Sequence, residues 1–356
     1  MKSDKKIKKN LDKRFKNINP RLDDFSRLGR KEELDVDDLV EQLRNGDRKA
    51  LSTAITLVES KHPRHKAFAD EVIERCILFA GRSIRIGITG TPGVGKSSFI
   101  EQVGQHILKE DHKIAILTID PSSQVTGGSI LGDKTRMQEL AKNQDVYIRP
   151  TPAGDSLGGV AKKTRETILL CEAAGFDIVL IETVGVGQSE TMVHAMVDVF
   201  LLLLLPGSGD ELQGMKRGIM EMADIVVVNK ADGQRVAAAK ATALEYQNAI
   251  HLFPAKENGQ IVSTLTCSSS TGKGVDVVWK EVRQLAGSLK KNGYFNENRR
   301  KQAAYWLDQT IRDNLINTFF TDTAVREAYE IAKKAVLDGK KSPFAAAEEV
   351  VAIIKK

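Results

Sequence analysis

Short apolar runs recur through the middle of the chain, separated by amphipathic stretches. They read IRIGIT (84–89), KIAILTI (113–119), VYIRP (146–150), DIVLIET (177–183), VFLLLLL (199–205), DIVVVNK (224–230) and IVSTLTCS (261–268). Each has the length of a strand. Most are apolar at consecutive rather than alternate positions, as strands covered on both faces are. Strand and helix in alternation predict an α/β fold on a doubly wound, mostly parallel sheet. The run VFLLLLL is only seven residues, far short of the roughly 20 needed to cross a bilayer, so no membrane insertion is expected.

Helical periodicity flanks this core. DVDDLVEQL, DRKALSTAITLVES and HKAFADEVIERCILFA carry apolar residues at helical spacing between 36 and 79, with an Asp N-cap ahead of the first and Gly81 as a C-cap after the last. Pro63 lies between His62 and His65, so the two histidines are not expected on one helical face. NENRRKQAAYWLDQTIRDNLINTFF, DTAVREAYEIAKKAVLDG and SPFAAAEEVVAIIKK repeat the helical period from 296 to 355. The last two are too short to bury much apolar face alone, and packing against a second subunit is one way to cover them. The expected organisation is a basic tail (1–35), an N-terminal helical segment (36–81), an α/β core (82–290) and C-terminal helices (291–356).

Composition narrows the class. The chain has 356 residues, 41% hydrophobic and 28% charged, the balance of an ordinary soluble globular protein. Aromatics make up 5%, which argues against a base-stacking surface, and no nucleic-acid partner is expected. The net charge of +6 is uneven: residues 1–31 hold twelve Lys or Arg against four Asp, so the remainder sums to −2. The tail reads either as a solvated, charge-rich segment or as a handle for an acidic partner. No apolar stretch follows it, as a secretory signal requires, and Asp4 and Asp12 disfavour a mitochondrial presequence. Cys76, Cys171 and Cys267 have neither metal-ligand nor redox spacing and read as buried hydrophobes in a reducing compartment. A cytoplasmic protein is the expectation.

The chemistry begins at GTPGVGKSS, which matches G-x-x-x-x-G-K-[ST] through Gly90, Gly95, Lys96 and Ser97. A predicted strand precedes it and a predicted helix follows. Glycines let the backbone curl so that several N–H groups face a polyphosphate, and the helix N-terminus adds partial positive charge. The nucleotide-binding stretch is Thr89, Gly90, Thr91, Pro92, Gly93, Val94, Gly95, Lys96, Ser97 and Ser98. Lys96 is expected on the β- and γ-phosphates and the Ser97 hydroxyl on Mg²⁺.

NKAD follows the strand DIVVVNK. N-K-x-D reads guanine: the Asp232 carboxylate would accept from N1–H and the 2-amino group, a pair of donors that adenine lacks. Asn229 would fix the loop and the Lys230 stem would lie along the base. CSSSTGKG then fits a loop closing over the base, with Ser268, Ser269 and Ser270 nearest. On the metal side, Glu182 ends an apolar strand as a Walker B acid does, Asp120 ends the strand after the first core helix, and Asp133 lies in a Gly-rich loop. Carboxylate and hydroxyl oxygens suit Mg²⁺, although each Asp also reads as a helix cap or turn residue. Lys96, Asp120 and Glu182 are the candidate catalytic residues.

Taken together, GTPGVGKSS, DPSSQVTGGSILGDKTRM, RPTPAGDSLGGVAKKTRETILLCEAAGFD, ETVGVGQSE, LLLLLPGSGDELQGMKRGIMEMAD and NKAD closely resemble the MeaB/ArgK family, over roughly residues 36–290. These are G-protein chaperones of adenosylcobalamin-dependent methylmalonyl-CoA mutase, and one member underlies cblA-type methylmalonic aciduria. The resemblance implies a SIMIBI-class P-loop GTPase with helical extensions on both sides of the G domain, the C-terminal one a dimerisation arm. It implies a homodimer that uses the GTP/GDP cycle to gate cobalamin loading and to protect or reactivate a B12-dependent acyl-CoA mutase. By the same resemblance Asp120, Asp133 and Glu182 form the metal and water-positioning set. GSGDELQGMKRG becomes a switch loop with Asp210, Glu211 and Lys216 as its charged members, although Asp210 also reads as a helix N-cap. Ser98 and Ser269 stand where the family more often has Thr and Ala, and neither side chain is needed for these contacts. Two other readings are weaker. A kinase acting on an arginine/ornithine transport protein lacks a visible acceptor site, and a nickel-insertion GTPase lacks the Cys/His cluster.

Overall fold

The computed structural model describes residues 35–60, 62–119, 137–151, 157–183, 189–208, 217–254 and 256–353. Local chemistry sets the first helices. Asp35 and Asp47 cap α1 (Val36–Arg44) and α2 (Arg48–Glu59), each carboxylate accepting backbone N–H groups of the first turn. Helix α3 (Pro63–Cys76) starts two residues ahead of the predicted apolar period. Pro63 occupies the first turn, where its missing N–H costs nothing, and the His62 ring accepts from the Arg64 N–H as the cap. His62 therefore lies outside the helix that contains His65.

The seven apolar runs form β1 (Ile84–Gly90), β2 (Ile114–Ile119), β3 (Val146–Thr151), β4 (Ile178–Thr183), β5 (Val199–Leu204), β6 (Ile225–Val228) and β7 (Ser263–Thr266). They make one sheet in the order β3-β2-β4-β1-β5-β6-β7, parallel at every pairing. Strands β2, β4, β5 and β6 are buried at every position, which is why their sequences run apolar without alternation. The leucine run is such a strand, not a membrane segment. No helix among the described residues is long and apolar enough to cross a membrane.

Helices α4 (Lys96–Leu108), α5 (Gln138–Lys142), α6 (Leu157–Ala173), α7 (Ser189–His194), α8 (Arg217–Met222), α9 (Val236–Ile250) and α10 (Val275–Lys291) lie between or after the strands. Phe99, Ile100, Val103 and Ile107 of α4 pack with Val278, Trp279 and Val282 of α10 on one face. On the other, Leu51, Ile55, Val72 and Cys76 of the first helices share a core with Leu170 and Cys171 of α6 and with Val179 of β4. The N-terminal helices are thus a layer on the sheet. A third cluster joins β5 and β6 to α8 and α9.

Beyond the sheet, α11 (Tyr294–Thr321) runs 28 residues, about 42 Å of helix. Its first half is tied down. Arg299 donates to both oxygens of Asp198 and to the carbonyls of Gly81 and Ser83. Gln302 Nε2 donates to Val197 O at 2.7 Å and Trp306 Nε1 to Ala195 O at 2.9 Å. Past Trp306 the helix leaves the body, and Leu307, Ile311, Leu315 and Phe320 are exposed. Helix α12 (Thr323–Leu337) packs at its far end and α13 (Pro343–Ala352) packs against α12.

Candidate active site

The sheet order fixes where a ligand sits. From β1 the chain goes to β2 and β3 on one side and to β5, β6 and β7 on the other. The crevice at the carboxyl ends around β1 is where open α/β sheets bind ligands. Strand β1 ends there in the glycine-rich loop, β4 in Glu182–Thr183 and β6 ahead of Asn229.

The loop needs its glycines. Gly90 has φ +150° and a Cβ on it would lie 2.4 Å from Leu203 O; Gly95 has φ +96° and its Cβ would lie 2.9 Å from Asn229 Nδ2. Gly95 caps α4, so the helix N-terminus opens directly into the loop. Lys96 folds back over this turn, its Nζ donating to Gly90 O at 2.8 Å and to Thr91 O at 3.4 Å. Burial lowers the Lys96 pKa, and the Glu182 and Glu190 carboxylates oppose that shift. Ser97 Oγ donates to Glu182 Oε1 at 3.0 Å, and both residues are buried. Registry explains the pairing: Glu182 stands opposite Ile88 on the neighbouring strand, two residues from the loop. Thr183 also donates to the Thr89 hydroxyl at 3.0 Å. A hydroxyl and a carboxylate side by side at the loop mouth are the hard oxygen donors that Mg²⁺ takes.

The second half faces the first. Asn229, 1% exposed, is the joint between them. Its Nδ2 donates to Val94 O at 2.9 Å, and its Oδ1 accepts from the Ser269 N–H at 3.0 Å and the Ser269 hydroxyl at 2.9 Å. The Ser269 hydroxyl, not needed on the sequence reading, is therefore part of this joint. Lys230 adopts φ +57° and its Nζ donates to Gly93 O at 2.6 Å. Asp232 Oδ2 accepts from the hydroxyls of Ser268 (2.7 Å) and Ser270 (2.9 Å), and Oδ1 from Arg235 Nη2 (2.5 Å). The Ser268 hydrogen bond first, then those from Arg235 and Ser270, hold the Asp232 pKa down to about 2, so the carboxylate is an acceptor throughout the neutral range. A cavity of about 460 Å³ opens between the two halves, lined by Gly95, Ser98, Asn229, Lys230, Asp232, Ser269 and Ser270.

The structure thus brings together the stretch from Thr89 to Ser98, Glu182, Asn229, Lys230, Asp232 and Ser268 to Ser270. Asp120, Asp133, Asp210, Glu211 and Lys216 lie outside the described residues. Glu101, Gln102 and Arg235 also line the cavity, and buried Glu190 acts on Lys96. None of these four follows from motif spacing. Helical offset from the loop marks Glu101 and Gln102, and position after NKAD marks Arg235, but nothing in the sequence marks Glu190. The three cysteines are free and buried, and burial pushes Cys76 up to about 11 and Cys267 up to about 12, with Cys171 raised as well. They are inert as nucleophiles at neutral pH.

A P-loop after β1 and an N-K-x-D loop after β6, hydrogen-bonded to each other across one sheet edge, are the two motifs of a P-loop GTPase. Residues 51–324 match the family described as Methylmalonyl Co-A mutase-associated GTPase MeaB, and the chain belongs to that family. A protein of Caulobacter vibrioides named as a GTPase is 48% identical over 319 residues, 90% of this chain and 98% of its own length. The mouse mitochondrial methylmalonic aciduria type A homolog is 40% identical over 338 residues, 92% of this chain and 81% of its own. The crystal structure of a LAO/AO transport system kinase superposes with a TM-score of 0.72 at 33% identity, covering 92% of this chain and all of that one. The chain is a GTP hydrolase.

Proposed function

We propose that this GTPase is a chaperone of a B12-dependent acyl-CoA mutase, gating adenosylcobalamin loading and protecting or reactivating the loaded enzyme, with methylmalonyl-CoA mutase as the expected partner. The observation that carries the reading is the Asn229 joint. One side chain ties Val94 of the phosphate loop to Ser269 of the base-closing loop, so occupancy at one end is felt at the other. The family description names the mutase, and the mouse relative's name refers to methylmalonic aciduria.

In this reading the loop N–H groups and Lys96 hold the β- and γ-phosphates, and Lys96 trades its contacts to Gly90 O and Thr91 O for phosphate oxygens. Ser97 and Glu182, with Asp120 and Asp133 as the expected further carboxylates, would hold Mg²⁺, which neutralises charge on the phosphates when bound. Asp232 reads guanine. Asp210, Glu211 and Lys216 come after β5 in the sequence, beyond Pro206 and Gly207, and form the proposed switch loop. The exposed apolar stripe on α11 is the proposed dimer face. Phosphate transfer to an amino-acid transport protein is the second reading, favoured by the name of the similar kinase structure. It needs a base beside an acceptor hydroxyl, and Glu182 is already committed to Ser97.

The test is a mutase assay. With GTP and this chain present, a methylmalonyl-CoA mutase turning over substrate should lose activity more slowly than alone. An identical decay with and without the pair overturns the chaperone reading.

A further inference from the structure

We propose that α9 and the segment after it link the base reader to the connection between β5 and β6, by holding that connection at both ends. The inference rests on the switch-loop reading and names what positions that loop. Residues 205–224 separate β5 from β6, and the proposed switch residues Asp210, Glu211 and Lys216 fall among them. Helix α9 begins at Val236, directly after the turn Gly233–Arg235 that follows Asp232. It packs back along β6 and β7, away from the nucleotide edge, for 15 residues, about 22 Å.

Both ends of the connection are fastened to this one stretch. At the entry, the Gly207 N–H donates to Thr242 Oγ1 of α9 at 2.9 Å, and Thr242 is buried. Tyr246, one turn further on, is fully buried in a cluster with Leu204 of β5 and with Ile219 and Met220 of α8. At the exit, Lys256 Nζ donates to the carbonyl of Met222, the last residue of α8, at 3.1 Å, and to Asp224 Oδ1. Asp224 accepts the Phe200 N–H on its other oxygen at 2.8 Å. Lys256 thus closes the end of α8 against the starts of β5 and β6. Its side chain is 18% exposed and that of Asp224 14%, so water competes little for the pair. Thr242, Tyr246 and Lys256 are all absent from the lining of the nucleotide cavity. A base bound at Asp232 orders the head of α9, and an ordered α9 opens less often at both fastenings.

Hydrogen–deuterium exchange of the full-length chain reads the link in peptides covering 205–208 and 217–224. GDP should slow exchange in both stretches by roughly tenfold. Pyrophosphate, at a concentration that protects the start of α4, fills the phosphate loop but offers Asp232 no donor. It should leave both stretches close to the empty protein. Thr242→Val should abolish the GDP effect at 205–208, and Lys256→Met the effect at 217–224, with the Kd for GDP within about twofold of wild type. Thr242→Ser and Lys256→Arg, which keep the polar atoms, should retain it. Variants that exchange faster throughout yet keep the full GDP effect would mean fastening without coupling and overturn the proposal. So would a wild type that GDP leaves unchanged, or one in which pyrophosphate matches GDP. Lys216→Ala, assayed for stimulation of hydrolysis by methylmalonyl-CoA mutase, tests the switch reading separately. Unchanged stimulation beside the expected exchange pattern removes the switch loop and keeps the link. Lost stimulation beside a failed exchange pattern removes the link alone.

Discussion

Lys96 is the residue on which phosphate chemistry depends most. It is buried at the start of α4, and its ammonium spans the turn it would share with phosphate. Lys96→Ala should cut GTP turnover by roughly 100-fold, the scale seen when one preorganised charge-stabilising donor is lost. Its melting temperature should stay near wild type, because Lys96 holds only its own loop. Phosphate-release assays and a thermal melt check both, and wild-type turnover would contradict the assignment. The residues found by motif, Gly90, Gly95, Lys96, Ser97, Asn229 and Asp232, were legible because each sits at a backbone or hydrogen-bonding position that few residue types satisfy. Arg235, Gln102 and Glu190 were not. An Arg in a polar turn, a Gln on a helix and a Glu after a glycine-rich stretch fit solvent equally well, and only the folded chain sets Arg235 and Gln102 on the cavity wall and buries Glu190 where it acts on Lys96.

At the scale of elements, the seven strands were readable because a parallel sheet covered on both faces leaves no polar alternation to confuse with a surface strand. What the pattern hid is how the elements are fastened. Arg85 reads as a polar interruption in IRIGIT, yet it pairs with Glu172 of α6, while Arg299 of α11 reaches back to Asp198 and to the carbonyls of Gly81 and Ser83. These partners lie 87 to 218 residues apart, a distance no local period reports. The same anchoring leaves Leu307, Ile311 and Leu315 in the second half of α11 exposed among the described residues. If Leu307, Ile311 and Leu315 face a second copy, Ile311→Asp with Leu315→Asp should shift the sedimentation coefficient from dimer to monomer while basal GTP hydrolysis stays within about twofold. A wild type that sediments as a monomer at micromolar concentration would remove the arm from the account.

For the whole molecule, the Glu172 cluster is the clasp. Glu172 accepts from the Gly81 N–H, the Ser83 hydroxyl and the Arg85 guanidinium, joining the N-terminal layer, β1 and α6. Burial alone would raise its pKa, but the Arg85 and Ser83 hydrogen bonds and the nearby Arg299 outweigh burial and hold it below the usual carboxylate value. A folded-state pKa below the unfolded one stabilises the protein above about pH 4.3, and that contribution is lost as the pH falls toward the lower folded value. Glu172→Gln should therefore cost about 3 kcal/mol at pH 7, the scale of breaking a buried ion pair. The gap to wild type in urea midpoint should narrow between pH 5 and pH 3, and a gap constant over that range would contradict the clasp. A GTP cycle on this sheet edge is proposed to serve a B12-dependent mutase. Steady-state hydrolysis by the full-length chain, with and without purified methylmalonyl-CoA mutase, tests it most directly. Slow hydrolysis of GTP that accelerates on adding the mutase, with ATP little used in either case, is the expected result. Equal rates with and without the mutase, or ATP hydrolysed as readily as GTP, would contradict it.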